Sequence, residues 1–174
     1  SLPTGTGKTW VFVFLAYAVK QNGIRTLILE NTDELVRQTR DKLARVGVQA
    51  GIIKGMKNEC NRDVVIGSVQ TLSRPNRLYN LPNNHFGFVI TDECHYANAV
   101  SYQRVLRYFE HAWHLGVTAT PFRGDKRSLA IAGWDSVAYV YSIKRAIDDK
   151  WLCPLEVHKV KTTTELMRMK TVAK

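Results

Sequence analysis

The sequence predicts an α/β protein with a mostly parallel central sheet and helices on both faces. Three observations lead there. Apolar runs of strand length recur along the chain as "RTLILE" (25–30), "DVVIGS" (63–68), "FGFVIT" (86–91), "AWHLGVT" (112–118), "VAYVYS" (137–142) and "PLEVHKV" (154–160). Helical patterns and turn residues separate them, the alternation expected of parallel strands joined by crossover helices. A glycine-rich loop with a lysine, and a strand that ends in two acids, fall where such folds hold ligands, at the carboxyl ends of the strands.

In chain order, the first element is an apolar stretch from Trp10 to Val19 behind the glycine loop. It is about half the ~20 residues that a membrane-spanning helix needs, so it is expected to be a buried helix. The run 25–30 is continuous Leu and Ile, as a strand covered on both faces requires. After it, Asn31 or Thr32 can cap a helix whose apolar positions Leu35, Val36, Thr39, Leu43 and Val46 keep helical spacing and which stops at Gly47. Strands at 63–68, 86–91 and 112–118 follow, with a helix at 101–110 whose Arg104 and Arg107 form a solvated face. A strand at 137–142, a helix at 142–150 and a strand at 154–160 complete the pattern. It fades in "KTTTELMRMKTVAK", so one domain is expected over residues 1–160, with 161–174 as a tail or the start of a connection.

The 174 residues, 45% of them hydrophobic, suffice for one buried core. Cys60, Cys94 and Cys153 are odd in number and show no CxxC spacing, which argues against a disulfide framework or zinc knuckle and for an intracellular, cytoplasmic setting. His111 and His114 make an HxxH without a third ligand. A formal net charge of +10 and a pI near 9.7 favour a polyanionic partner such as nucleic acid.

In "PTGTGKT" the residues Pro3, Thr4, Gly5, Thr6, Gly7, Lys8 and Thr9 form a candidate phosphate cradle. Gly5 and Gly7 permit backbone conformations that turn successive amides inward at a helix start. Lys8 can reach the β/γ-phosphates and the Thr9 hydroxyl can ligate Mg²⁺. The pattern GxxxxGK[ST] is incomplete, because its first glycine falls at Leu2. In "FGFVITDECH", a buried strand ends with Asp92 placed for a metal and Glu93 for accepting a proton from the attacking water. A glycine turn and a helix-start acid pair would explain either stretch alone but not their coincidence.

Taken together and in order, "PTGTGKT", "ILENTDELVRQ", "VVIGSVQTLSR", "VITDECHYA" and "LGVTATPFRGD" resemble the first, RecA-like motor domain of superfamily 2 DEAD/DEAH-box (DExH) helicases. The resemblance is greatest to the branch with the motor subunits of type I and type III restriction enzymes and DNA-repair helicases. It implies a P-loop NTPase fold with its amino-terminal strand truncated, and ATP and Mg²⁺ as cofactors. It assigns Gly5, Gly7, Lys8 and Thr9 to the phosphates and metal, Asp92 and Glu93 to metal and water, and His95 to a bridge between nucleotide and the next motif. Thr118, Ala119 and Thr120 would couple nucleotide state to the track. Asn31, Thr32 and Arg37, with Ser68, Gln70 and Thr71, would meet the strand backbone, and Phe122 is a candidate stacking residue or, equally, a core aromatic. Cys94 stands where the commonest form has alanine.

The implied function is the ATP-binding half of an ATP-dependent DNA helicase or translocase, poorly active without the second RecA-like domain that supplies arginines. DNA is favoured over RNA, no membrane association is expected, and the branch leaves room for nuclease or methylase partners. The rivals are an RNA helicase, a nucleic-acid-binding module with a vestigial ATP site, and a small-molecule kinase, the last disfavoured by the acid pair and the "TAT" segment.

Overall fold

Residues 1–120 and 133–156 are described by the computed structural model. Helix α1 (Lys8–Gln21) leads to β1 (Thr26–Glu30), α2 (Asp33–Arg45), a hairpin of β2 (Gly51–Lys54) and β3 (Lys57–Asn58), and β4 (Val64–Ser68). Two single-turn helices, α3 (Val69–Leu72) and α4 (Pro75–Leu78), precede β5 (Phe88–Asp92), α5 (Val100–Tyr108), β6 (Trp113–Val117) and α6 (Ile143–Asp148). The strands form one sheet in the order β3-β2-β4-β1-β5-β6, parallel except for β3.

Alternate residues of each central strand enter two different cores, which is why these runs carry no polar alternation. Leu27, Leu29, Val65 and Val89 pack with Phe86, Tyr102, Val105 and Phe109 on one face. Ile28, Ile66, Ile90 and Val117 pack with Phe12 and Val13 of α1 and Val36 and Leu43 of α2 on the other. Thr32 caps α2, its hydroxyl accepting from the Leu35 amide at 3.3 Å, as expected from the sequence.

The register decides what meets at the carboxyl edge. Glu30 pairs with Ser68, Leu29 with Thr91, and Asp92 with Val117. Ser68, Glu30 and Asp92 therefore end three neighbouring strands on almost one row, and Thr118 follows directly beyond. The backbone of residues 1–2 joins this edge: the Leu2 amide donates to the Thr118 carbonyl at 3.0 Å, and the Tyr141 amide donates to the Ser1 carbonyl at 2.9 Å.

Four expectations change. The helix behind the loop is not buried all round: Phe12, Val13 and Ala16 are covered, whereas Val11, Phe14, Leu15 and Tyr17 are exposed, because a helix on a sheet hides only one stripe. Strand β6 is also not covered throughout, since it is the sheet edge and Trp113 is 80% exposed. Residues 137–142 join no ladder and act as an irregular strap. Residues 154–156 are irregular too, and the remainder of 154–160, the 160/161 boundary and Phe122 lie outside the described residues. The β2–β3 hairpin and the turns α3 and α4 were not foreseen.

Candidate nucleotide site

The loop ends where α1 begins. Gly7 holds φ 82° and Gly5 φ 89°, a region costly for residues with a Cβ, and the Trp10 amide donates to the Gly7 carbonyl at 2.8 Å to start the helix. The Thr6 hydroxyl donates to the Pro3 carbonyl at 2.7 Å and closes the turn. First-turn amides have no partner inside a helix, so those of Lys8 and Thr9 are left for an acceptor in front of α1.

Lys8, 10% exposed, projects across to the end of β5. Its ammonium lies 3.6 Å from Asp92 Oδ1 and is ion-paired with Glu93 Oε1. Loop and acid pair, 84 residues apart in sequence, thus meet at one point. Glu93 is in the left-handed region with φ 49°, and its amide donates to Asp92 Oδ1 at 2.9 Å, so the chain reverses there and both carboxylates face the lysine. Such a conformation costs a non-glycine residue about 1–3 kcal/mol and persists only where the surrounding contacts hold it.

The network continues past the acids. His95 Nδ1 is 3.2 Å from Glu93 Oε2 and 2.9 Å from Thr118 Oγ1. Nδ1 is thus within hydrogen-bonding reach of the carboxylate and the hydroxyl together. The Thr118 hydroxyl also accepts from the Thr120 amide at 3.1 Å, while the Thr118 carbonyl holds Leu2. Thr118 therefore touches the loop entry, His95 and the "TAT" turn at once.

Burial pushes the Asp92 carboxyl up from its ordinary range, with Lys8 acting against the shift. Burial pushes the Cys94 thiol up to about 11, so it is a packed neutral group; it rests against Gly116, where an added Cβ would come within 2.9 Å of its sulfur.

Sequence reasoning missed Glu30. Wholly buried at the end of β1, it accepts the Thr39 hydroxyl hydrogen at 2.7 Å on one oxygen, and the other oxygen has no partner among the described residues. Burial, then the negative Asp92, raises its carboxyl to about 8. The signal was there: "TLILE" is an apolar strand with one acid at its tip.

The residues expected to meet a strand lie along the same edge. Ser68 Oγ donates to Gln70 Oε1 at 2.8 Å, and Gln70 Nε2 donates to the Asn31 carbonyl at 2.9 Å, tying the ends of β4 and β1 together. Thr32 and Arg37 are exposed on α2, with Arg37 outside that network. Thr71 is only 5% exposed and its hydroxyl accepts from the Gly55 amide at 3.0 Å, so its side chain is occupied in holding the hairpin. Thr9 follows Lys8 in the first turn of α1, and Ala119 lies between the two bonded threonines.

A cavity of about 170 Å³ lined by Leu2, Thr6, Tyr139, Tyr141 and Trp151 opens beside the loop, and a wider one of about 620 Å³ lies beside α5. Neither lies between Lys8 and the acids, because the lysine side chain itself spans that gap.

Residues 1–123 match the family model described as type III restriction enzyme, res subunit. IRC3 of Saccharomyces cerevisiae, provisionally named an ATP-dependent helicase, is 34% identical over 99% of this chain and 27% of its own length. The DNA 3'-5' translocase XPB2 of Sulfurisphaera tokodaii is 31% identical over 71% of this chain and 27% of its own. Among solved structures, the UvsW helicase of bacteriophage T4 superposes with a TM-score of 0.62 at 23% identity, over 76% of this chain and 50% of that one, a similarity of fold. The chain spans about a quarter of the length of the curated relatives it matches. Among the described residues, no helix is long and apolar enough to cross a membrane.

Proposed function

This chain belongs to the type III restriction enzyme res-subunit family, within the superfamily 2 helicases, and on that premise we propose that it is the ATP-binding half of a DNA helicase or translocase motor. The observation that carries the reading is the Lys8 ammonium poised over both Asp92 and Glu93. A cation paired with two carboxylates at the start of a helix is a ready receiver for phosphate. Lys8 exchanges its carboxylate partners for β/γ-phosphate oxygens when nucleotide enters, and the amides of Gly5 to Thr9 donate to the remaining oxygens.

The donor set fits Mg²⁺. Asp92 is buried, acidic and already beside a positive charge, and a hard cation takes oxygen ligands of this kind. Thr9 and Asp92 would hold it, and when bound it neutralises charge that builds on the phosphates. Glu93 accepts the proton of the attacking water. His95 holds the Glu93 carboxylate and passes its position to Thr118, and so to the "TAT" turn.

Movement needs a grip that ignores sequence, because a motor must step over any base order. Asn31, Thr32, Arg37, Ser68 and Gln70 offer amides, hydroxyls and a guanidinium at one edge for phosphate contact, with Thr71 contributing indirectly through the hairpin. The translocase relative named for DNA supports DNA over RNA. A partner motor domain supplies arginines worth roughly 10³ to 10⁵ in rate, so residues 1–174 alone hydrolyse ATP poorly.

The test is made in the complete protein. Glu93→Gln should keep ATP binding while hydrolysis stops, and single-stranded DNA should stimulate the wild-type ATPase more than RNA of the same sequence. Normal turnover by the Glu93 variant would remove the assigned base, and preferential RNA stimulation would replace DNA as the track.

A further inference from the structure

The β2–β3 hairpin carries a residue that the fold does not use. Lys54 pairs with Lys57 across a two-residue turn, Gly55–Met56, with Gly55 at φ 54°. Glycine at the first turn position meets the need of a tight hairpin for positive φ. Nothing in that geometry asks for methionine at the second, yet Met56 is 97% exposed at the tip. A single exposed apolar side chain is ordinary on a protein surface. What distinguishes this one is how firmly its base is held.

Three separate elements grip the tip. The Gly55 amide donates to the Thr71 hydroxyl of α3 at 3.0 Å. Arg77 of α4 donates one guanidinium nitrogen to the Gly55 carbonyl at 2.5 Å and the Lys57 carbonyl at 2.8 Å. Lys54 pairs at 2.5 Å with Asp33, the first residue of α2. The tip is thereby tied to the two segments that carry Thr32 and Gln70. Three cations stand at or beside the tip, the anchors Lys54 and Arg77 and the turn-flanking Lys57, with Asp33 as the acid that anchors Lys54.

We propose that the hairpin tip is a further DNA-contacting element, and that Met56 is an apolar pin that inserts between adjacent bases of the strand held along the carboxyl edge of the sheet. The inference rests on reading that edge as the DNA track. Apolar side chains, methionine among them, are suited to wedging between base steps, at a cost in stacking that a rigid support must sustain. The paired anchors supply the rigidity, and Lys57 and Arg77 supply attraction for the flanking phosphates. Nucleotide-driven movement of the edge then carries the pin along the strand.

The experiment uses the full-length protein and short single-stranded DNAs, each with one 2-aminopurine, whose fluorescence rises when the base is unstacked. Wild type is expected to give a rise confined to one or two adjacent positions. Met56→Ala should abolish that rise and weaken binding by about tenfold, the scale of losing one side chain's apolar contact. Met56→Leu should keep both. Met56→Lys should keep affinity through its charge but lose the rise. Gln70→Ala and Arg37→Ala serve as reference lesions in the proposed track. If they weaken binding while Met56→Ala leaves fluorescence and affinity unchanged, the pin is wrong and the track stands. If wild type does not bind DNA at all, both fall. Because Met56 is in solvent, folding does not confound its variants.

Discussion

Replacing Glu30 with glutamine should make this protein more stable at alkaline pH and flatten its stability profile. The folded carboxyl ionises near 8 and the free side chain near 4.5, because burial and the adjacent Asp92 disfavour a second negative charge. Below the lower value both states are protonated and the group has no differential effect. Between the two, the unfolded chain releases its proton while the folded chain keeps it, so stability falls as pH rises and levels off above 8. At about 1.4 kcal/mol for each pH unit, that window caps the loss at on the order of 5 kcal/mol. Glutamine keeps the carbonyl that accepts from Thr39 and does not titrate. Urea unfolding of wild type and Glu30→Gln, followed by tryptophan fluorescence from pH 5 to 9, reads Glu30 together with its coupling to Asp92, since the remaining groups titrate in both. The two curves should lie closest at pH 5, where the loss is about 1 kcal/mol, and separate steadily toward pH 8 in favour of the variant. Parallel curves would refute the reasoning.

Other outcomes follow from the same contacts. Gly116→Ala should destabilise by about 1–3 kcal/mol through overpacking, since the new Cβ meets Cys94 and Trp134 at 2.9 Å. Adding Cys94→Ala should recover part of that loss, as thermal melting of the single and double variants would reveal. Thr32→Ala removes the α2 cap and should cost about 1 kcal/mol, read by urea midpoint. In the complete protein, Thr118→Val breaks the His95 bond at 2.9 Å. It should leave ATP affinity near wild type while reducing DNA stimulation of turnover, and an unchanged stimulation ratio would remove Thr118 from the coupling path.

Much of this was legible in the chain because the strongest signals are local. Buried parallel strands must be continuously apolar, so 25–30, 63–68 and 86–91 declared themselves, and Thr32 announced α2 through capping chemistry. Lys8 and Asp92 with Glu93 were identifiable as partners because a loop rich in glycine and a strand ending in acids each need an explanation that the other supplies. What escaped depends on tertiary placement. Residues 137–142 read as a strand by composition, yet β-propensity is realised only where a neighbour offers a ladder. The helix behind the loop gave no periodic pattern, since its exposed face is as apolar as its buried one. Thr71 looked like a surface contact because spacing does not reveal that its hydroxyl is taken by Gly55. Glu30 needed the register, which sets it beside Asp92.

The central claim is that Lys8 and Asp92 serve one triphosphate and its metal. Its most direct test is a double-mutant cycle on binding of a fluorescent ATP analogue, titrated with Mg²⁺, for wild type, Lys8→Ala, Asp92→Asn and the pair. Groups sharing a ligand are coupled, whereas distant sites add within a few tenths of a kcal/mol. The prediction is strongly weakened but measurable binding for Lys8→Ala, loss of Mg²⁺ dependence for Asp92→Asn, and a combined loss well short of the two summed. Strictly additive effects, or nucleotide binding indifferent to both substitutions, would contradict it.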